Sequence, residues 1–256
     1  MNVVCLDMEG VLVPEIWIAF ANEVGIPELK LTTRDEPDYD KLMKYRLDIL
    51  KEHNLGLKEI QAVIEKIDVM DGAKEFLDEL RSLTQVIILS DTFEQFAAPL
   101  MKKLGMPTIF CNTLEVAENG EIIGYKMRCE KSKLTTVKAL QSCGFETIAA
   151  GDSFNDLGMI LNSKAGFLFK STEQIKKDYP QLHAFEEYDE LLAAIKSALK
   201  LYVKWSWAQS AFGLRPSNFG KFATLCRSRT LTVGLFTTIA ATSVYVHSAE
   251  ISFRHN

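Results

Sequence analysis

Five short apolar runs constrain this chain more than any other feature: VVCLD at 3–7, QVIILS at 85–90, TIFCN at 108–112, TIAAGD at 147–152 and AGFLF at 165–169. Each is rich in β-formers and only about five residues long, the form of strands buried on both faces of a parallel sheet. The stretches between them carry apolar residues at helical spacing. Phe76, Leu77, Leu80 and Leu83 share a face in 73–83; Phe93, Phe96, Leu100 and Leu104 do so in 93–104, where Pro99 predicts a kink. Further helices fit 131–142, 154–163, 171–178 and 186–200. Strands alternating with helices predict an α/β fold, a Rossmann-like doubly wound parallel sheet. ENGEIIGYKM at 118–127 reads as a hairpin turning at Asn119-Gly120.

The interval from Pro14 to about Met70 interrupts this alternation with three helical patterns, Ile16–Val24, Tyr39–Glu52 and Leu57–Ile67, and no convincing strand. It begins directly after the acidic turn of the first strand, so a helical insert there lies over the carboxyl ends of the strands, where open α/β sheets bind ligands. The expected organisation is a core of 1–13 and 71–200, a small helical cap of 14–70, and a C-terminal extension of 201–256.

Charge is distributed unevenly. Residues 1–200 hold 23 Lys and Arg against 33 Asp and Glu, and the remaining 56 hold 6 against 1. The acidic body offers no electrostatic footprint for nucleic acid, and any anionic substrate must be held by a few placed cations or a metal. Five cysteines form no CxxC pair and no signal peptide precedes them, which reads as reduced thiols in a cytoplasmic protein. The 20 residues between Arg229 and Glu250 lack Asp, Glu, Lys and Arg and match a bilayer span in length, but five threonines weaken that reading. A poorly ordered or non-native extension is expected there instead, and no membrane association.

Four elements line up at the expected strand ends. Asp7 and Glu9 follow the first, Ser90-Asp91-Thr92 the second and GDSFND at 151–156 a later one, while Lys133 opens the helix before that strand. Singly, each is an ordinary turn former, helix cap or surface charge. Together they describe one site. Asp7 and Asp152, at the ends of adjacent strands, repel unless a cation lies between them. Mg²⁺ fits, since it takes one or two carboxylates, waters and a substrate phosphate. Lys133 and the Ser90 hydroxyl are then donors for the remaining phosphoryl oxygens.

DMEGV, LSDT, a lysine and GDSFND, in that order, resemble the four motifs of the haloacid dehalogenase superfamily of aspartyl phosphotransferases. The resemblance covers about residues 1–200. The cap segment TTRDEPDYDKLMKYRL at 32–47 and PEIW at 14–17 are similar to those of phosphoserine phosphatases, in particular the bacterial subgroup that also transfers phosphate from phosphoserine to homoserine. The resemblance implies a Mg²⁺-dependent enzyme with Asp7 as nucleophile and metal ligand, and Glu9 as general acid/base with its backbone carbonyl on the metal. Asp152 is the second metal carboxylate. Ser90, Asp91, Thr92, Lys133 and Asn155 bind substrate, supported by Asp156. Lys131 rivals Lys133, which is preferred because LTTVKAL follows it. Glu9 departs from the superfamily pattern, in which phosphate-ester hydrolases mostly carry Asp; the subgroup shares the Glu.

Arg46 stands in an apolar stripe, with Leu42, Met43, Ile49 and Leu50 at i−4, i−3, i+3 and i+4. It either snorkels from the edge of that stripe or points into the site, where its planar fork suits a substrate carboxylate. Glu15 is placed to pair with an ammonium, and Tyr39 to wall the pocket. A carboxylate binder and an ammonium binder around a phosphate site describe an O-phospho amino acid, as the matching positions do in phosphoserine phosphatases. The expected partners are small molecules, phosphoserine with homoserine as an alternative acceptor; a remote alternative is a non-catalytic phospho-amino-acid-binding protein. A homodimer is compatible with the sequence but not implied by it. The four histidines, His53, His183, His247 and His255, neighbour no motif.

Overall fold

The computed structural model describes residues 1–32, 35–36 and 38–199. The extension from 201, with its uncharged run, Trp205 and Trp207, lies outside the described residues. The sheet has seven strands: β1 (Asn2–Leu6), β2 (Gln85–Phe93), β3 (Thr108–Val116), β4 (Ile122–Lys126), β5 (Glu146–Gly151), β6 (Ala165–Phe169) and β7 (His183–Phe185). Their order is β4-β3-β2-β1-β5-β6-β7, parallel throughout except for β4, which returns antiparallel from β3 through the expected Asn119-Gly120 turn. β1 therefore lies between β2 and β5, pairing Leu6 with Ile88 on one side and Ala150 on the other. Successive crossovers leave β1 in opposite directions, which opens a crevice at the carboxyl ends of these central strands.

Alternation along the strands assigns the two faces. Val4 and Leu6 of β1, Ile88 and Ile148 join one core cluster; Cys5, Leu89 and Ala149 join the other. The first is covered by α4 (Ala73–Leu83), α5 (Glu94–Lys103) and a helix over 188–199, here α9. The second is covered by α6 (Ser132–Ser142), α7 (Leu157–Asn162) and α8 (Glu173–Asp178). The three-layer packing buries near-continuous apolar strands on both sides.

Between Val13 and Asp71 run α1 (Ile16–Val24), a 3₁₀ turn at Pro27–Lys30, α2 (Tyr39–Glu52) and α3 (Leu57–Ile64). The ends of this excursion meet, because Met70 N donates to Leu12 O at 3.0 Å. Its far side docks on α5 and the β3–β4 hairpin. Pro99 has no N–H to give Gln95 O inside α5, and the Gln61 amide from α3 donates to that freed carbonyl at 2.9 Å. Leu57 N reaches Gly120 O at 2.9 Å, Lys51 pairs with Glu121 at 3.0 Å, and the Tyr125 hydroxyl bonds the Asp40 carboxylate.

Several boundaries differ from expectation. β2 runs on to Phe93 rather than stopping at Ser90, through a register shift against β3 between Leu89 and Phe93. The third helix stops at Ile64, and 154–162 is a 3₁₀ turn (Phe154–Asp156) followed by α7, because the Asp156 carboxylate is turned inward. β7 was too short and too polar to show as an apolar run.

Phe96 joins sheet, α5 and α1. Its ring lies edge-on to Trp17 at 5.5 Å and Phe93 at 5.7 Å and is 1% exposed. Phe96→Ala is expected to cost about 3–5 kcal/mol, read as a lower midpoint in urea unfolding with an unchanged slope; a loss under 1 kcal/mol contradicts this packing role.

Candidate active site

The turn after β1 is built so that two acids leave it in different directions. Asp7 N donates to Ala150 O at 3.0 Å, continuing the pairing with β5 past the end of the strand. Leu12 N and Val13 N both close on Met8 O, and Gly10 N on Val13 O, in a tight loop with Gly10 at φ +76°. Only glycine suits that position. A Cβ there would also fall 2.5 Å from Asp152 Cγ, so the loop and the Asp152 carboxylate share one cradle.

Asp7 is 4% exposed. Its Oδ1 accepts from Met8 N at 2.7 Å and lies 2.9 Å from Lys133 Nζ. The same ammonium meets Asp156 Oδ1 at 2.6 Å. Asp156 Oδ2 accepts from the N–H groups of Asp152 and Ser153, each at 3.0 Å, which folds the GDSFND loop around a buried carboxylate. Gly151 makes room for it, since a Cβ there would sit 2.4 Å from Asp156 Cγ. Ser171 Oγ holds Asp152 O at 2.5 Å.

Asp7, Asp152 and Asp156 bring one oxygen each within 4.8 Å of one another. Lys133 compensates one of these three charges, leaving a formal −2 in a largely dry site. The surplus shows in the titration behaviour. Burial, then the Asp156 charge, raises Asp7 well above the ordinary carboxylate range against the pull of Lys133. Burial and Asp156 push Asp152 up to about 7. For Lys133, burial disfavours the charge, but Asp156 and Asp7 outweigh it and raise its pKa. The carboxylates are hard oxygen donors close to one another, and the deficit matches a divalent cation of the Mg²⁺ type.

Glu9 turns to the excursion side. Its Oε2 accepts from Ile16 N at 2.8 Å, at the first turn of α1. Burial and the nearby Glu15 carboxylate push it up to about 7. Glu15 is exposed at the N-cap of α1, and its charge bears on both Glu9 and Asp152.

Arg46 does not snorkel. It is 6% exposed, with Nη2 donating to Leu31 O at 2.7 Å and its guanidinium stacked 4.4 Å over the Trp17 ring. Nη1 finds only Met43 Sδ at 3.9 Å, and buried Nε has no hydrogen-bond partner. No carboxylate pairs with it among the described residues, and burial lowers it to about 10. The Tyr39 hydroxyl and the carboxyl groups of Glu9 and Glu15 lie near enough to bear on it, so these residues share its side of the site. Tyr39 packs edge-on to Tyr125 at 5.7 Å.

The remaining candidates divide. Ser90 and Thr92 are buried in β2, with Thr92 N donating to Ser90 Oγ at 3.2 Å. Asp91 and Asn155 bond each other at 2.9 Å, so Asp91 engages protein donors. Lys131 is exposed at φ +47° and does not enter; Lys133 does. Gly10, Gly151, Ser171 and Trp17 were not singled out from the sequence. The first three act through space made or hydrogen bonds given across the fold, and only the quoted PEIW carried a hint of Trp17.

The family model for haloacid dehalogenase-like hydrolases matches residues 1–163. The chain is 50% identical over 191 residues to phosphoserine phosphatase ThrH of Pseudomonas aeruginosa, covering 75% of this chain and 93% of that one. It is 49% identical to a phosphoserine phosphatase of Pseudomonas syringae pv. tomato, covering 75% and 81%. Among solved structures, a substrate-bound phosphoserine phosphatase complex superposes with a TM-score of 0.62 at 21% identity, over 78% of this chain and 97% of that one. A phospho-aspartyl intermediate analogue of phosphoserine phosphatase gives 0.61 at 23%, over 75% and 98%. At such identities these two speak for the fold.

Lys133→Met removes the only cation touching Asp7 and Asp156 among the described residues. Stability at neutral pH, with chelator present, is expected to fall by about 3–5 kcal/mol. Buried carboxylates with raised pKa stabilise the fold when protonated and lose that contribution as pH rises through the raised value. The deficit should therefore shrink as pH is lowered from neutral into the mildly acidic range. A deficit independent of pH, read from denaturation curves, contradicts the ion-pair account.

Proposed function

The chain belongs to the haloacid dehalogenase-like hydrolases, in their phosphoserine phosphatase family, and on that premise we propose that it hydrolyses O-phospho-L-serine through an aspartyl-phosphate on Asp7. The observation that carries this reading is the buried Asp7–Lys133–Asp156 constellation with Asp152 beside it, together with a buried Arg46 whose Nε is unpaired.

Asp7 Oδ1 is fixed by Met8 N and Lys133, and no hydrogen bond holds Oδ2 among the described residues. That oxygen forms the bond to phosphorus as the bond to the serine oxygen breaks. Glu9 gives its proton to the departing serine oxygen. It then takes a proton from the water that attacks phosphorus, releasing phosphate and restoring the Asp7 carboxylate. Lys133 and the Ser90 hydroxyl hold the transferred oxygens, and Asp156 holds Lys133. Mg²⁺, held by Asp7, Asp152 and the backbone carbonyl of Glu9, would supply neutralisation of charge on the phosphoryl oxygens.

At the other end, Arg46 offers its unpaired Nε–H to the substrate carboxylate, with the guanidinium oriented by Trp17 and Leu31 O, and Glu15 takes the ammonium. The same pair supports a second reading. Homoserine carries the same carboxylate and ammonium, so it can occupy the place vacated by serine and present its hydroxyl, in place of water, to the Asp7 phosphate. Glu9 serves either acceptor.

The test is product analysis with phosphoserine, Mg²⁺ and graded homoserine. Phosphate and serine are expected, with phosphohomoserine appearing as homoserine rises. Asp7→Asn should lower kcat roughly 10³-fold or more; phosphate release indifferent to it would sink the aspartyl-phosphate route. Arg46→Ala should raise KM for phosphoserine about tenfold or more while sparing p-nitrophenyl phosphate, since a charge-assisted fork is lost only by the substrate that has the carboxylate. Equal losses on both substrates would make Arg46 structural.

A further inference from the structure

Beside Ser90 the SDT motif holds a carboxylate that the chemistry above does not use. Asp91 lies in β2 where the register against β3 shifts. Its Oδ1 accepts from Ser132 Oγ at 2.8 Å and its Oδ2 from Asn155 Nδ2 at 2.9 Å. Its backbone carbonyl accepts from Asn112 Nδ2 at 2.9 Å, and Asn112 is 1% exposed with its Oδ1 held by Arg128 N at 3.0 Å. Both side-chain oxygens are thus engaged by protein donors. A free carboxylate facing the phosphate would in any case repel it.

The partners of Asp91 are not arbitrary. Ser132 immediately precedes Lys133, and Asn155 immediately precedes Asp156, which receives the Lys133 ammonium at 2.6 Å. One carboxylate therefore grips the neighbour of each member of the ion pair, from the strand that also carries Ser90. The entry of α6 needs such a hold. It begins after Lys131 in the left-handed region at φ +47°, and Lys131 makes no side-chain cap. A negative charge at the first turn also suits the helix dipole.

Resting on the phosphate-site reading above, we infer that Asp91 is a positioning residue that acts through Lys133: it locks the start of α6 and the 152–156 loop to β2, so that Lys133 and Ser90 meet the same phosphoryl group. The sequence expectation that Asp91 binds substrate directly is replaced here by an indirect role.

The role predicts a loss confined to the phosphate end of the site. Binding of inorganic phosphate and of L-serine is measured by calorimetry with Mg²⁺ present, alongside steady-state kinetics. Asp91→Ala is expected to weaken phosphate about tenfold and to leave serine within about twofold, because a charge-assisted contact is misplaced at one end only. kcat/KM should fall by at least as much. Asp91→Asn, which keeps one acceptor and the shape, should recover a large part of both losses. Ser132→Ala and Asn155→Ala each remove one donor with Asp91 in place and should give the same selectivity at about threefold each, which covers a failure of Asp91→Ala to fold. Phosphate affinity unchanged in the folded variants, or equal weakening of phosphate and serine, overturns the inference. If the wild type binds phosphate yet hydrolyses no phosphoserine, the substrate reading fails while the positioning test still reads out.

Discussion

One ammonium group holds the centre of this molecule together. Lys133 reaches from the first turn of α6 to the end of β1 and into the loop after β5, meeting Asp7 at 2.9 Å and Asp156 at 2.6 Å in a region almost closed to water. Two buried carboxylates without that charge would be untenable. With it, one of their two charges is still uncompensated and Asp152 adds another, so the site is left wanting positive charge. Such a deficit suits a divalent cation, and a cation and a lysine together suit an anionic substrate such as a phosphate ester. Stability and chemistry thus lean on the same ion pair, which explains why so much of the surrounding structure exists to fix it. Gly10 and Gly151 clear space for two of the carboxylates, Ser171 ties down Asp152, and Asp91 anchors both flanks.

Most of this arrangement was readable from the chain because it obeys short-range rules. Apolar runs of five residues ending in Asp7, Ser90 and Asp152 announced strands and their ligand-bearing ends, and helical spacing located α1, α2 and α4 at their observed limits. The Asn119-Gly120 turn likewise marked its hairpin. What stayed hidden depends on distance across the fold. Asp91 looked like a substrate ligand because it neighbours Ser90, yet its carboxylate points to residues 41 and 64 positions away. Trp17, quoted only within PEIW, gives no sign in the sequence that Arg46 stacks on its ring. β2 outran its apolar core because pairing with β3 resumes after a shift that no residue type announces.

Arg46 shows how far burial alone can carry an argument. A guanidinium inside a helical stripe pays heavily unless it is paired, and here its pairing is incomplete: one carbonyl, one aromatic face, one distant sulfur and an idle Nε. The protein holds a charged fork in position and leaves part of its hydrogen-bonding capacity unused. Such a group suits a ligand that brings the missing acceptors, and a carboxylate brings two in the plane of the fork. On the proposed reading, the amino-acid end is recognised from α1 and α2 and the phosphate end from β1, β2, β5 and α6.

These two ends belong to differently supported parts of the fold, and their spacing must be maintained for an ester that spans both. Leu12 and Met70 bring the helical excursion back to its starting point, which alone would leave it free to tilt about that hinge. The far contacts prevent this. Pro99, normally a defect inside a helix, frees Gln95 O for the Gln61 amide, and the β3–β4 hairpin offers Gly120 O, Glu121 and Tyr125 to α3 and α2. An antiparallel strand added to the edge of a parallel sheet thus does more than extend it: the hairpin is the abutment against which α2 rests. Arg46 lies on that helix, so its distance from the Asp7–Lys133–Asp156 cluster is fixed through the hairpin as much as through the hinge.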